Sequence, residues 1–358
     1  MTQLIRAIVD TSALRSNLRH IRSRAPNSRV MAVVKANAYG HGLVPTALAL
    51  PEADAFAVAR LEEGIALREA GVRQDIVLLE GVFEREQLAE AARHRFEIVV
   101  HDPLQVALLE AFKGAHRFNI WLKVDTGMNR LGFRTEEFAG ILARLRQLQA
   151  PAADIRLMTH LARADERDCA MTREQLERFR ALTCGISSQT SIGNSAGILG
   201  WDDACGDWVR PGLALYGISP FPNESSGDAG LTPVMTLASM VIAVRSVPAG
   251  ETVGYGGTWT AQRAARIAIV AGGYGDGLLR ALPTGTPVLV NGRRAPLVGR
   301  VAMDMIAVDV SELPEVEVGT RCVLWGRGLE VSEVAARAGT IAYELLCGVR
   351  ARVPREVI

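Results

Sequence analysis

Lys35 stands where an almost continuous apolar run, Val30-Met31-Ala32-Val33-Val34, gives way to a loop closed by Gly40 and Gly42. Such a run is what a strand covered on both faces of a parallel sheet requires, so the lysine emerges at a strand end. Held against apolar walls, an ammonium is disfavoured. Its pKa then falls from about 10.4, and a neutral amine becomes available to condense with an aldehyde. The alternative is a lysine that caps an exposed loop, and the segment alone leaves both open. Arg130 follows a glycine turn in Lys123 to Phe133, KVDTGMNRLGF, where its planar fork suits a carboxylate, a phenolate oxygen or a surface ion pair.

Two further segments suit an anion. Ile192 to Gly197, IGNSAG, follows a strand-like run and opens a helix, so the backbone amides and the Ser195 hydroxyl, next to Asn194, face a negative group there. Trp208 to Gly212, WVRPG, adds a glycine that permits close backbone approach. Arg210 in that segment keeps its proton. Beside a pyridine nitrogen it would donate a hydrogen bond without protonating the ring, leaving a weak electron sink that favours proton exchange over transamination. An aldehyde-binding amine, an anion site and such an arginine together suit pyridoxal 5'-phosphate. Tyr255 lies in VGYGGTW, residues 253–259, where an aromatic between glycines is ordinarily a turn residue. The run GGYGDG, 272–277, lacks the dinucleotide spacing and reads as another turn.

Composition narrows the functional classes. The chain has 358 residues, enough for about two domains, with 49% apolar residues and a net charge of +1. That balance carries no general bias toward nucleic acid or anionic membranes. The N-terminus has no apolar signal core and no run approaches the ~18 residues of a membrane span, so a cytoplasmic protein is expected. Five cysteines without CxxC spacing are expected to be reduced and buried, and six histidines without an HxxxH pair give no metal site.

The elements that must position these residues follow a rhythm. After a leading strand-like stretch, 4–9, Asp10 or Thr11 caps a helix running to about Arg24. Eight apolar runs then recur near 30–34, 54–58, 76–79, 96–100, 117–124, 154–159, 188–192 and 207–210, with helical segments between them. Thr135 to Leu148 is one such helix, and Thr172 with Gln175 has the spacing of a capping box for another. Eight alternations over some 200 residues predict an α/β fold, a (β/α)8 TIM-like barrel, with an open doubly wound sheet as the alternative. In a barrel, reactive side chains sit at the C-terminal strand ends, and Lys35, Arg60, Glu80, His101, Asp125, His160, Asn194 and Arg210 lie just past the successive runs. From about Leu231 the texture becomes β-branched and punctuated by Gly and Pro, predicting a mainly β C-terminal domain. The expected division is a leading strand over 1–9 packing with the β domain, a barrel over 10–225, and the β domain over 226–358.

VVKANAYGHG, KVDTGMNRLG, GNSA, WVRPGLALYG, VGYGGTW, GYGDG, GRVAMDM and AGTIAYELLC occur in this order, and with them the chain resembles the alanine racemase family from about Ala7 to Val353. The resemblance implies a homodimeric pyridoxal phosphate enzyme that interconverts L- and D-alanine with two bases. Lys35 would bond the cofactor aldehyde and serve one face of the substrate, and Tyr255 of the partner subunit the other. Tyr39, Ser195, Gly212, Leu213 and Tyr343 would hold the phosphate. Arg210 would lie by the pyridine nitrogen, His160 between Arg210 and the tyrosine, and Arg130 at the phenolic oxygen and the substrate carboxylate. Lys123 matches a lysine carbamylated in many members. Met303 and Asp304 would come from the partner to the substrate carboxylate. Ala302 replaces a cysteine common before the Met-Asp pair, and Leu278-Leu279 a frequent Tyr-Pro. Three other readings remain: a racemase of broader small amino-acid specificity, a pyridoxal phosphate decarboxylase and a cofactor carrier. A decarboxylase would want an acidic partner at the ring nitrogen, against Arg210, and a carrier would lack the second domain.

Overall fold

The computed structural model describes residues 3–148 and 152–358. Its first strand, β1 (Ile5–Val9), does not enter the barrel, pairing instead with strands from the far end of the chain. Asp10 then turns the chain into a helix, Thr11–Arg24, by accepting from the amides of Ser12 and Ala13. That satisfies two donors the first helical turn leaves orphaned.

Eight parallel strands follow in order and close on themselves: β2 (Arg29–Val33), β3 (Ala55–Val58), β4 (Asp75–Leu78), β5 (Glu97–Val100), β6 (Asn119–Lys123), β7 (Asp154–Met158), β8 (Thr190–Ser191) and β9 (Trp208–Val209), which pairs back to β2. Each coincides with one of the apolar runs. Their side chains are buried on both faces because helices cover the outside and side chains fill the inside, so strand sequences here do not alternate. Toward the N-terminal strand ends the barrel is plugged by Arg156, which lies over the rings of Trp121 and Trp208 and pairs with Glu97 at 2.9 Å. Glu97 also accepts from Asn119 and the Trp121 indole, so this buried charge is fully partnered.

The second domain is built on β10 (Met235–Val247), β11 (Thr252–Val253), β12 (Trp259–Thr260), β13 (Ala265–Ala271), β14 (Pro287–Val290), β15 (Arg293–Val298), β16 (Met305–Asp309), β17 (Arg321–Trp325) and β18 (Arg355–Val357). The main sheet runs β13-β16-β15-β14-β17-β10-β1-β18, and β13 also pairs with β10. A register shift between Val241 and Ala243 lets the long β10 bend, so that its first half pairs with β1 and β17 and its second half with β13. β1 pairs antiparallel with β10 and parallel with β18, so the start of the chain is stitched into the C-terminal sheet.

Three local expectations are corrected. The helix read over 135–148 spans Phe138–Arg146. Thr172 does not cap a helix: the helix starts at Ala170, and the Gln175 side chain bonds elsewhere. Of the five cysteines only Cys322 is buried, while Cys184 and Cys347 are exposed, because Cys184 ends a surface helix and Cys347 faces the open cavity at the barrel mouth. Among the described residues no helix is long and apolar enough to cross a membrane, and no group of three or more metal-ligating side chains gathers.

Candidate active site

A cavity of about 930 Å³ opens at the C-terminal ends of the barrel strands. It is lined by Lys35, Tyr39, Lys123, Arg130, His160, Asn194, Ser195, Arg210, Gly212, Leu213 and Tyr343. Of the polar residues following successive strands, Lys35, Glu80, His160, Asn194 and Arg210 reach it, while Arg60, His101 and Asp125 do not. His101 instead bonds the Glu80 carbonyl, and the Asp125 carboxylate accepts from the amides of Gly127, Met128 and Asn129. Tyr255, Met303 and Asp304 do not line it either. Tyr255 is 71% and Met303 53% exposed, and Asp304 is tied to Arg352 at 2.6 Å on the surface.

Lys35 leads directly into a backbone that sequence reasoning did not anticipate. Ala36, Asn37, Ala38 and Tyr39 all have positive φ, between 51° and 56°, a left-handed turn of four L-residues in succession. Each such residue costs about 1–2 kcal/mol, so the turn persists only because its surroundings over-determine it. Glu63 accepts from the Ala36 amide at 2.7 Å with one oxygen and from the amides of Ala59 and Arg60 with the other. Asn37 accepts from Leu43, and Arg355 donates to the Gly40 carbonyl. Gly40 closes the turn where a Cβ would lie 2.0 Å from the Leu346 carbonyl oxygen. Tyr39 stacks on Tyr216, whose hydroxyl donates to the Val33 carbonyl. Lys35 and Tyr39 thus reach the same cavity from one tight turn.

Opposite them, the Ser195 hydroxyl oxygen accepts from the amides of Gly212 and Ala214, at 3.0 and 3.1 Å. Its own proton remains available to donate into the cavity. A Cβ on Gly212 would lie 2.4 Å from the Tyr39 hydroxyl, so glycine is what brings backbone and phenol together. The Asn194 side chain is occupied with capping the helix Ser195–Gly200 through the Gly197 amide. Burial, and less strongly the neighbouring phenol and thiol, raises the Tyr39 pKa above the usual tyrosine range. Burial raises that of Tyr343 to about 12, so both hydroxyls keep their protons as donors.

Arg210, only 4% exposed, donates to Ser191 Oγ and the Thr159 carbonyl, both at 2.6 Å, and to the Ile192 carbonyl at 3.2 Å. Burial lowers its pKa to about 10, which leaves it cationic at neutral pH. Its Nη2 also donates to His160 Nδ1 at 3.2 Å. His160 titrates well below the ordinary imidazole range, first through burial and then through Arg210, Lys123, Arg130 and Lys35. The ring is therefore neutral, with its proton on Nε2. Lys123, at the end of β6, has its pKa lowered to about 8 by burial and then by Arg210, Arg130 and Lys35, with Asp125 opposing.

The wall is thus cationic, Lys35, Lys123, Arg130 and Arg210 against Glu80 and Asp165. A free serine proton, two protonated phenols and a glycine cradle fit a phosphate, and the lysine fits its aldehyde partner. Sequence reasoning missed Glu63, Asp165 and, in the stretch between barrel and β domain, Ser219, Pro220, Pro222 and Asn223, which also line or brace the cavity. Only Glu63 had a readable signal, its position three residues after Arg60 at a helix start.

Comparison with known proteins agrees with this geometry. Residues 9–220 match the profile of the alanine racemase N-terminal domain and residues 234–357 that of the C-terminal domain. An alanine racemase of Shewanella woodyi is 49% identical over 348 residues, 97% of both chains. The crystal structure of the biosynthetic alanine racemase from Pseudomonas aeruginosa superposes with a TM-score of 0.97 at 46% identity, covering 100% of both chains. The alanine racemase from Bartonella henselae, solved with covalently bound pyridoxal phosphate, gives 0.91 at 28% identity, again over 100% of both. A closed parallel barrel with its lysine at the mouth, a β domain stitched to the first strand, and similarity along nearly the whole length make this chain a member of the alanine racemase family.

Proposed function

We propose that this protein is a cytoplasmic, homodimeric, pyridoxal phosphate-dependent racemase that interconverts L- and D-alanine by a two-base mechanism. The observation that carries the reading is the cavity that gathers Lys35, the Ser195 and Gly212 cradle and the Arg210–His160 pair, while Tyr255 stands outside it. When bound, the cofactor supplies an aldehyde for the substrate's amino group and a ring that makes the α-hydrogen removable.

The chain's own residues then divide the work. Ser195, Tyr39, Tyr343 and the backbone at Gly212 and Leu213 would hold the phosphate, beside Asn194. Lys35 would hold the cofactor's aldehyde and, as a free amine, would hold or return a proton on one face of the substrate. Tyr255 of the partner subunit does so on the other, which accounts for a reactive phenol lying exposed in the isolated chain. The neutral His160 would offer its Nε2–H to that phenol's oxygen, with the Arg210 guanidinium behind it. Arg210 would serve the cofactor's ring nitrogen as a donor that keeps its own proton. Arg130 holds the substrate carboxylate, with Met303 and Asp304 of the partner subunit closing that end. Lys123, partly neutral near pH 8, adds carbon dioxide with loss of a proton, and the resulting carbamate anion steadies Arg130.

Racemisation measured over a panel of amino acids, with and without added pyridoxal phosphate, tests the proposal. L- and D-alanine should be interconverted, serine and larger residues far more slowly, and activity should disappear with the cofactor. Equal rates for several small amino acids would favour the broader-specificity racemase, and carbon dioxide release the decarboxylase.

A further inference from the structure

Gln175 has a position on the helix Ala170–Thr183 that suggests a cap, yet its side chain is 0% exposed and turned inward toward the site. Its Nε2 donates to the His160 carbonyl at 3.0 Å, and its Oε1 accepts from the Ala162 amide at 2.9 Å. One side-chain amide thereby spans the peptide units on both sides of Leu161, as a neighbouring strand would. The same Nε2 also donates to Thr126 Oγ1 at 3.3 Å. Thr159 Oγ1 gives its one proton to the Val124 carbonyl at 2.9 Å, so the Thr126 hydroxyl must donate to Thr159, 2.8 Å away. A single direction of donation therefore runs Gln175, Thr126, Thr159, Val124. Every link is buried, and such chains reinforce one another in a low dielectric.

This relay joins the loop after β6, which carries Arg130, to the loop after β7, which carries His160. None of its members lines the cavity, and none is placed in the proposed reaction. We infer that Gln175 is the positioning residue for His160: by fixing the His160 carbonyl and the Ala162 amide it sets the ring's angle to Arg210 and to the phenol the partner subunit brings. The inference rests on the two-base reading, since it is through His160 that Gln175 would affect one face of the substrate and spare the other. Removing the amide leaves the His160 carbonyl and Ala162 amide without their buried partner, and the loop relaxes away from the Arg210 bond.

The test uses the cofactor-loaded dimer labelled with ¹⁵N-histidine, comparing the unaltered protein with Gln175→Met, Thr126→Val and Tyr255→Phe. In Gln175→Met the His160 Nδ1 signal should leave its hydrogen-bond acceptor position while the other five histidines stay where they are. The α-proton exchange rate should fall between about tenfold and a hundredfold for the enantiomer that Tyr255→Phe slows most, and much less for its mirror image. Thr126→Val, a milder change of nearly equal volume, should move the same signal the same way by less. An unmoved His160 signal in both variants, with only the melting temperature lowered, would overturn the inference. So would an equal slowing of both enantiomers by Gln175→Met where Tyr255→Phe is selective. Equal slowing by Tyr255→Phe itself would instead sink the two-base reading, and the His160 signal would still decide the role of Gln175.

Discussion

Arg210 Nη2 and His160 Nδ1 lie 3.2 Å apart, and because a guanidinium only donates, the imidazole nitrogen facing it must be the acceptor. Burial, and after it the neighbouring cations, then keep the ring neutral, and its remaining proton is committed to Nε2. Arg210 is itself anchored by Ser191, Thr159 and Ile192, so the tautomer of His160 is set by the barrel wall and not by the ligand.

Arg210→Lys should break this arrangement although charge is conserved. A lone ammonium cannot span the four acceptors, and buried carbonyls left without donors cost about 2–4 kcal/mol in total. Urea denaturation should show that loss, and racemisation should fall by about a hundredfold. A variant with unchanged stability and rate would mean that the fork geometry is irrelevant.

Two inactive proteins should rescue each other. In a mixed dimer of Lys35→Ala and Tyr255→Phe chains, one site carries both defects and the other carries neither. Unfolding and refolding an equal mixture should recover about a quarter of the normal activity, since half the dimers are mixed and half their sites intact. Activity that never rises above that of the separate variants would refute a site shared between subunits.

Lys123→Met should stabilise the cofactor-free protein in buffer freed of carbon dioxide. The lysine's folded pKa is about 8 against an ordinary 10.5, so the folded state disfavours the ammonium. Below pH 8 both folded and unfolded lysine are protonated, and the full penalty of about 3–3.5 kcal/mol is present. It fades as pH rises from 8 to 10.5, where both become neutral. The gain from the substitution should therefore be largest at neutral pH and vanish near pH 10.5 in denaturant titrations; a pH-independent gain would assign it to packing. With ¹³C-bicarbonate present, a carbamate carbon signal should appear in the original protein and be absent from this variant.

Gly212→Ala should weaken the cofactor without unfolding the chain. The added Cβ would meet the Tyr39 hydroxyl at 2.4 Å and must displace the end of that side chain. Retention of the visible cofactor band during dialysis should drop markedly, while the unfolding midpoint moves little. Unaltered retention would show that the phosphate is not held between these two residues.

Much of this protein was legible in its sequence, because the relevant information is local. Unbroken apolar runs such as Val30 to Val34 mark strands covered on both faces, and the polar residues after them mark the barrel mouth wherever the chain turns. Lys35, Asn194, Ser195 and Arg210 could be placed at strand ends from that pattern alone. What spacing along the chain does not carry is the partner of a side chain once the barrel closes. Gln175 has the spacing of a cap, yet its partners lie 13, 15 and 49 residues away and pull it into the interior. The left-handed turn of Ala36 to Tyr39 contains no glycine to announce it, since braces from Glu63 and Arg355 impose it against local preference. Local sequence thus determined which residues are reactive and which strand ends present them, because backbone preference and burial period act over a few residues. The tertiary structure alone decided their protonation and their angles, because those depend on charges and donors that only folding brings within hydrogen-bonding distance.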